Sequence, residues 1–281
     1  MDIQLAAERI FLLQERLSPD EIRQRAMDRR TQAFGGGLGN LLQRPKPEDI
    51  TVVEAQRRLE PFWHVAARAR YVYQRTRDYA VPASAPEVRE VTVNGTTYPV
   101  QGSTKAAPSF RISVLESCLD ESAHQLFTDG VSGAPAADAQ AMITGPSTEV
   151  TDPTTLGADE TIVVPPEQRA SFVVRKLLGE MMKPVQADSV DEESLVLEKT
   201  DLYYRPVYAY EFHWAPKDKR GVVEIDGLTG QVRQGQSLMP RLKRMVSRES
   251  LFDIGADTAG LLIPGGSIAV KVARAAVDRN Y

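Results

Sequence analysis

The chain has few residues that could carry chemistry: three histidines, His64, His124 and His213, and one cysteine, Cys118. Histidine, cysteine and carboxylates are the usual ligands of zinc, but their spacing here lacks the paired pattern a metal site needs. No HExxH or CxxC is present. A thiolate–imidazole pair between Cys118 and His124 or His64 is the other conceivable arrangement. Ser117-Cys118-Leu119 has no glycine elbow, so a small buried apolar cysteine is the plainer reading. Gly35-Gly36-Gly37-Leu38-Gly39-Asn40 lacks the Gly-Lys-Ser/Thr ending that engages phosphate and magnesium. Pro264-Gly265-Gly266-Ser267 reads as a turn with a serine cap. No catalytic residue, metal or cofactor is assigned.

Two features suit binding better than catalysis. Aromatic residues concentrate in two strand-like stretches, with Trp63, Tyr71 and Tyr73 in the first and Tyr208, Tyr210 and Trp214 in the second. Tyrosine and tryptophan join a large apolar area to one polar contact, which serves either an interaction face or a sheet interior. Arg241, Lys243, Arg244 and Arg248 line a stretch that also carries Leu242, Met245 and Val246. A basic amphipathic helix of this kind can lie on anionic lipid or RNA, or simply solvate its charged side.

The elements that would position these residues follow from periodicity and punctuation. The spacing predicts a helix over residues 3–16. Ser18-Pro19-Asp20-Glu21 opens a second helix with a serine cap, proline in the first turn and acids at the positive end of the dipole. Strands are expected over 50–54 and 62–73, then a turn at Arg75-Thr76-Arg77-Asp78 and a return strand from Tyr79. Asn94-Gly95 sits between alternating residues, the strongest short hairpin signal. A short strand from Phe110, a helix over 115–127 and a long loop over 129–160 follow. An apolar stripe through Val173, Val174, Leu177, Leu178 and Met181 predicts a helix. Strands are expected at 195–198, 203–214 and 222–225. Helices are expected over 239–252 and from Ser267.

Stretches near 17–73 and 164–214 share an order: a helix opened by proline, a connector, a strand, a proline, and an aromatic strand. This predicts an α+β fold of two related helix-plus-antiparallel-hairpin units, with a small β-rich insertion and C-terminal helices. The divisions fall at 1–85, 86–160, 161–235 and 236–281.

Pro206-Val207-Tyr208-Ala209-Tyr210, then Val222-Val223-Glu224-Ile225-Asp226-Gly227-Leu228-Thr229-Gly230-Gln231-Val232, resembles the closing hairpin of PepSY-type domains. The resemblance covers residues 206–232. Such domains are small helix-plus-sheet modules, mostly extracytoplasmic, some of which bind or restrain proteases. The helix-and-hairpin arrangement is what the resemblance implies for this chain.

Composition narrows the field. The formal net charge of −4 argues against general nucleic-acid binding. Residues 81–200 hold 8 basic and 18 acidic side chains, so an acidic middle lies between mildly basic ends. One cysteine allows no internal disulfide. The first residues lack the basic start and apolar core of a signal peptide, which with the absence of long apolar runs predicts a cytoplasmic protein. The excess of arginine over lysine fits a GC-rich bacterial genome. The expected function is a non-enzymatic interaction or assembly protein, forming a homo-oligomer, that presents an aromatic sheet face or Gly-rich loops to an unknown protein partner. The alternatives are a hydrolase or small-molecule enzyme with distant His, Asp and Glu residues, and a factor binding an anionic membrane or RNA through 241–248.

Overall fold

A computed structural model describes residues 2–34, 45–103, 106–157, 161–182, 184–234 and 271–274. In chain order the elements begin with β1 (Asp2–Leu5), β2 (Glu8–Leu13) and α1 (Pro19–Arg29), followed by β3 (Ile50–Pro82). Next come β4 (Glu90–Val93), β5 (Thr96–Pro99), β6 (Gln101–Ser103) and β7 (Ala106–Asp129). The short α2 (Ala139–Met142), β8 (Ser147–Glu149) and β9 (Ile162–Val163) lead to α3 (Ala170–Met181). Then follow β10 (Ser189–Trp214), β11 (Lys219–Asp226), β12 (Val232–Gln234) and β13 (Lys271–Arg274).

Most of these elements share one mixed sheet in the order β12-β11-β10-β3-β7-β6. β3 and β10 pair antiparallel from Gln74↔Ser189 to Ile50↔Trp214. The far side of β10 is shared by β1, β2 and β11, the first two running parallel to it. Alternation then sorts side chains between the two faces. Even-numbered residues of β10 feed two clusters: Leu202 and Tyr204 pack with α3, whereas Tyr210, Phe212 and Trp214 pack with Ile22 and Ala26 of α1. Tyr203, of the other parity, packs with Phe62, Leu13, Met142 and Leu228.

This architecture corrects the expected α+β fold. The described residues are mostly strand, in one large mixed sheet rather than helix-and-hairpin units with C-terminal helices. In place of the helix expected over 3–16 stand the strands β1 and β2, because Ile3 and Leu5 alternate into the core beside Leu195 and Leu197. Over so few residues the same apolar positions also fit a helical stripe. Residues 115–127 lie inside β7, and Arg75-Thr76-Arg77-Asp78 is uninterrupted strand within β3. That segment is polar because the sheet has left the core there, not because the chain turns. Lys271–Arg274 pairs with β1 as a strand, inside the stretch expected to be the terminal helix. The helix expected over 239–252 lies outside the described residues.

Several local expectations match the structure. Ser18 forms a reciprocal capping box with Glu21. Asn94 and Gly95 take φ of 48° and 85° in the β4–β5 turn, as a type I′ turn requires. The α3 stripe Val173, Val174, Leu177, Leu178 and Met181 is buried as a unit.

Candidate functional site

The six aromatic candidates line the sheet's interior more than its surface. Trp63 is fully buried, and its indole N–H donates to the Gln168 carbonyl at 2.8 Å. Tyr71, Tyr210 and Trp214 are buried. Tyr73 and Tyr208 are half-buried, packing against the α3 and α1 clusters respectively, and the Tyr208 hydroxyl donates to Glu15 at 3.0 Å. Burial pushes the Tyr71, Tyr208 and Tyr210 hydroxyls above their ordinary range. These rings hold the sheet to its helices. Arg241, Lys243, Arg244 and Arg248, and both Gly-rich loops, lie outside the described residues.

The histidines and cysteine are not gathered together. Cys118 and His124 share β7 and a parity, which places them roughly 20 Å apart along the strand. The ring of His213 is 2.9 Å from the exposed Asp218 at the β10–β11 connection. Only His64 meets a buried carboxylate, Asp201, directly across the β3–β10 ladder. Arg9 donates to both oxygens of Asp201 at 3.1 Å, while His64 stacks on Phe127 with ring centres 4.4 Å apart. His64 Nε2 lies 3.3 Å from the Gln125 side-chain oxygen, and its Nδ1 is buried without a hydrogen-bond partner. Burial, helped by the charges of Lys199 and Arg9, lowers the His64 pKa to about 4. A general base must reach its substrate, and this imidazole is enclosed.

A cavity of about 370 Å³ opens elsewhere, beside Leu12, Arg57, Glu149, Val150 and Asp152. Arg57 is held there by Glu15 at 2.7 Å and Thr161 at 2.9 Å. Asp152 accepts hydrogen bonds from the N–H and hydroxyl of Thr154, an arrangement that orders its own turn. Its lining carries the hydroxyls of Thr148, Thr151 and Thr155 and the carboxylates of Glu149 and Asp152, but no histidine, cysteine or lysine. Among the described residues no group of three His, Cys, Asp or Glu could hold a metal.

The feature that periodicity did not reveal is an arm. β10 ends against Gln74, but the β3–β7 ladder continues from Arg75↔Glu116 to Pro82↔Ser109. Its tip carries β6 and the β4–β5 hairpin, with Tyr98 against Phe110. Arg75 donates to Glu116 at 2.6 Å, and Tyr79 donates to the same carboxylate. The base is braced by the connector before β10: Asp188 accepts from the Thr76 N–H at 2.6 Å, and Gln186 from Arg77 at 3.3 Å. Beyond Tyr73 no arm side chain of β3 belongs to a core cluster. The exposed apolar side chains include Tyr79, Leu115 and Leu119. The sequence signal for this arm was the absence of glycine and proline from 109 to 129, although polar and apolar residues do not alternate regularly there.

No helix among the described residues is long and apolar enough to cross a membrane. The chain matches no protein-family model, no curated protein and no solved structure.

Proposed function

We propose that the protein is a non-enzymatic interaction or assembly protein and that the β3–β7 arm is the element that engages its macromolecular partner. The carrying observation is the run of ladder beyond Gln74, where strands continue after core contacts stop. Ordering a residue's backbone costs about 1–2 kcal/mol, and a two-stranded ribbon with little apolar burial recovers this poorly. A partner that covers Tyr79, Leu115 and Leu119 would supply the missing burial. The enclosure of His64 adds support, since this imidazole does not face a substrate.

The test removes the arm from an otherwise intact chain. Residues 77–114 are replaced by Asn-Gly, joining Thr76 to Leu115 where they already face each other, and the two exposed leucines that remain are removed by Leu115→Lys and Leu119→Lys. The thermal unfolding midpoint should change little, because the core clusters are spared. Crosslinking capture from native lysate should yield a saturable macromolecular partner for the full chain and lose it for the shortened one. Recovery of the full chain with only a stoichiometric metal or small molecule would overturn the reading.

A further inference from the structure

One side of β7 is paired with β3, but the other meets no strand among the described residues over most of its length. There β6 reaches only Ser109 and Ala106, and Pro135 bridges Thr128. Among the described residues, nothing pairs with this side between 110 and 126, a span of roughly 50 Å; at Phe127 the carbonyl accepts from the Ala136 N–H. Proteins usually blunt such edges with a proline, a bulge or a covering element. Here the β3–β7 register is unbroken from Phe62↔Asp129 to Pro82↔Ser109.

The chemistry of the edge alternates. Glu116 points to the face that holds Arg75 and Tyr79. Odd-numbered residues from Arg111 to Glu121 are exposed on the other face. Leu115 at 63% and Leu119 at 57% are the two most exposed large apolar side chains among the described residues. They lie on the same strand, the same face and the open edge.

We propose that a second copy of this chain occupies this edge, β7 against β7, antiparallel about a two-fold axis through Ser117. This rests on reading the arm as the interaction element, and it names the partner. An axis at Ser117 sets Leu115 opposite Leu119 of the second copy, and by symmetry does so twice. It also places Arg111, which makes no ion pair among the described residues, diagonal to Glu121 of the second copy, a carboxylate that Arg70 of its own chain already holds at 2.5 Å. Neighbouring registers fit less well. An axis at Cys118 sets Glu116 directly opposite Asp120, and like charges directly opposite destabilise a ladder. An axis at Leu119 leaves Leu115 facing Ala123. In the Ser117 register Glu116 faces Cys118, with its own charge already matched by Arg75. Pairing would join the two sheets into one continuous sheet and end both open edges.

The experiment is sedimentation equilibrium of the full chain at low ionic strength, with far-ultraviolet circular dichroism as a check on folding. The wild type should dimerise. Leu115→Lys with Leu119→Lys sets like charges opposite and should weaken dimerisation at least about tenfold. Leu115→Lys with Leu119→Glu sets opposite charges together and should restore it; an axis at Leu119 would instead oppose two glutamates. Both positions are exposed, so the fold should tolerate either pair. Ser117→Cys in a Cys118→Ser background should give a disulfide-linked dimer under mild oxidation, because the axis brings that position against itself. A monomeric wild type, or association indifferent to the sign at 119, overturns the pairing. In that case arm-dependent capture of a different macromolecule still decides the broader reading.

Discussion

His64 and Asp201 face each other across the β3–β10 ladder, each only 1% exposed, yet they do not form the ion pair their types suggest. Asp201 is held by Arg9, and His64 is held by the ring of Phe127. Arg9 and Lys199 make the surroundings of His64 cationic, so its neutral form is favoured. Burial raises the Asp201 carboxyl, while the Arg9 guanidinium opposes the shift. The pair therefore stabilises the sheet as a neutral ring and a neutralised carboxylate, not as a catalytic dyad.

This arrangement makes stability depend on pH with a defined sign. The folded His64 pKa is about 4, against an ordinary value of 6.5, so the unfolded chain takes up a proton first as pH falls. His64 thus costs no stability above pH 6.5 and progressively more down to pH 4, roughly 3 kcal/mol in all. Asp201 acts in the opposite sense, since a raised carboxyl pKa adds stability as pH falls. His64→Phe keeps the stacked ring and removes the titration. Urea unfolding from pH 7 to 4.5 should show the wild type losing about 2 kcal/mol more than this variant; parallel curves would mean that the imidazole does not titrate as described.

Removing Arg9 should expose the cost of the buried carboxylate. Arg9→Met leaves Asp201 buried without its cation, a change expected to cost about 1–3 kcal/mol at pH 7. That is below the full penalty of a buried ion, because the Arg9 side chain is 40% exposed and water can partly replace it. Asp201→Asn added to Arg9→Met should recover most of the loss, giving a positive coupling in a double-mutant cycle. The defect of Arg9→Met alone should shrink as pH falls and Asp201 becomes protonated. An equal defect at pH 7 and 4.5 would point to lost packing rather than to charge.

Local chemistry was legible in the sequence; pairing was not. Ser18 with Glu21, Asn94-Gly95 and the α3 stripe are decided within a few residues, and each takes the expected form. The end of β10 at Gln74 depends on partners more than a hundred residues apart, which periodicity cannot identify. The arm was misread for a related reason. Residues 75–78 look like a turn because they are polar, but an extended ribbon with water on both faces needs the same residues. Trp63 and Tyr210 looked equally suited to a core and to an exposed face, since their composition is the same in both. Only register places them beneath α3 and α1.

That placement has a direct optical consequence. The chain has two tryptophans, and both are buried. Acrylamide should quench native fluorescence weakly and quench the urea-unfolded chain several-fold more efficiently. Native quenching close to the unfolded value would mean that the sheet presents Trp63 or Trp214 to solvent, and would return the aromatic face to consideration as a docking surface.

Glu60 is the hub of an ionic cluster that ties β3 to the β10–β12 end of the sheet. It lies within 3.5 Å of Arg58, 3.1 Å of Arg205 and 3.5 Å of Arg233, while Arg205 and Arg233 also approach the buried Asp226 at 3.8 Å. Arg58 reaches Glu224 as well. Three cations and three anions share the site, so removing one anion leaves a local excess of positive charge among half-buried groups and the buried Asp226. Glu60→Gln retains the volume and a carbonyl oxygen but withdraws that charge. It should cost about 2–3 kcal/mol, less than a fully buried pair because the site keeps some contact with water. Since Asp226 also caps the following turn through the N–H groups of Leu228 and Thr229, the loosening should reach β12. Hydrogen exchange of the Glu60→Gln variant should rise at Val223–Ile225 and at Val232–Gln234 while remaining unchanged in α3. Uniform acceleration across the chain would show that the cluster contributes global stability rather than fastening this end of the sheet.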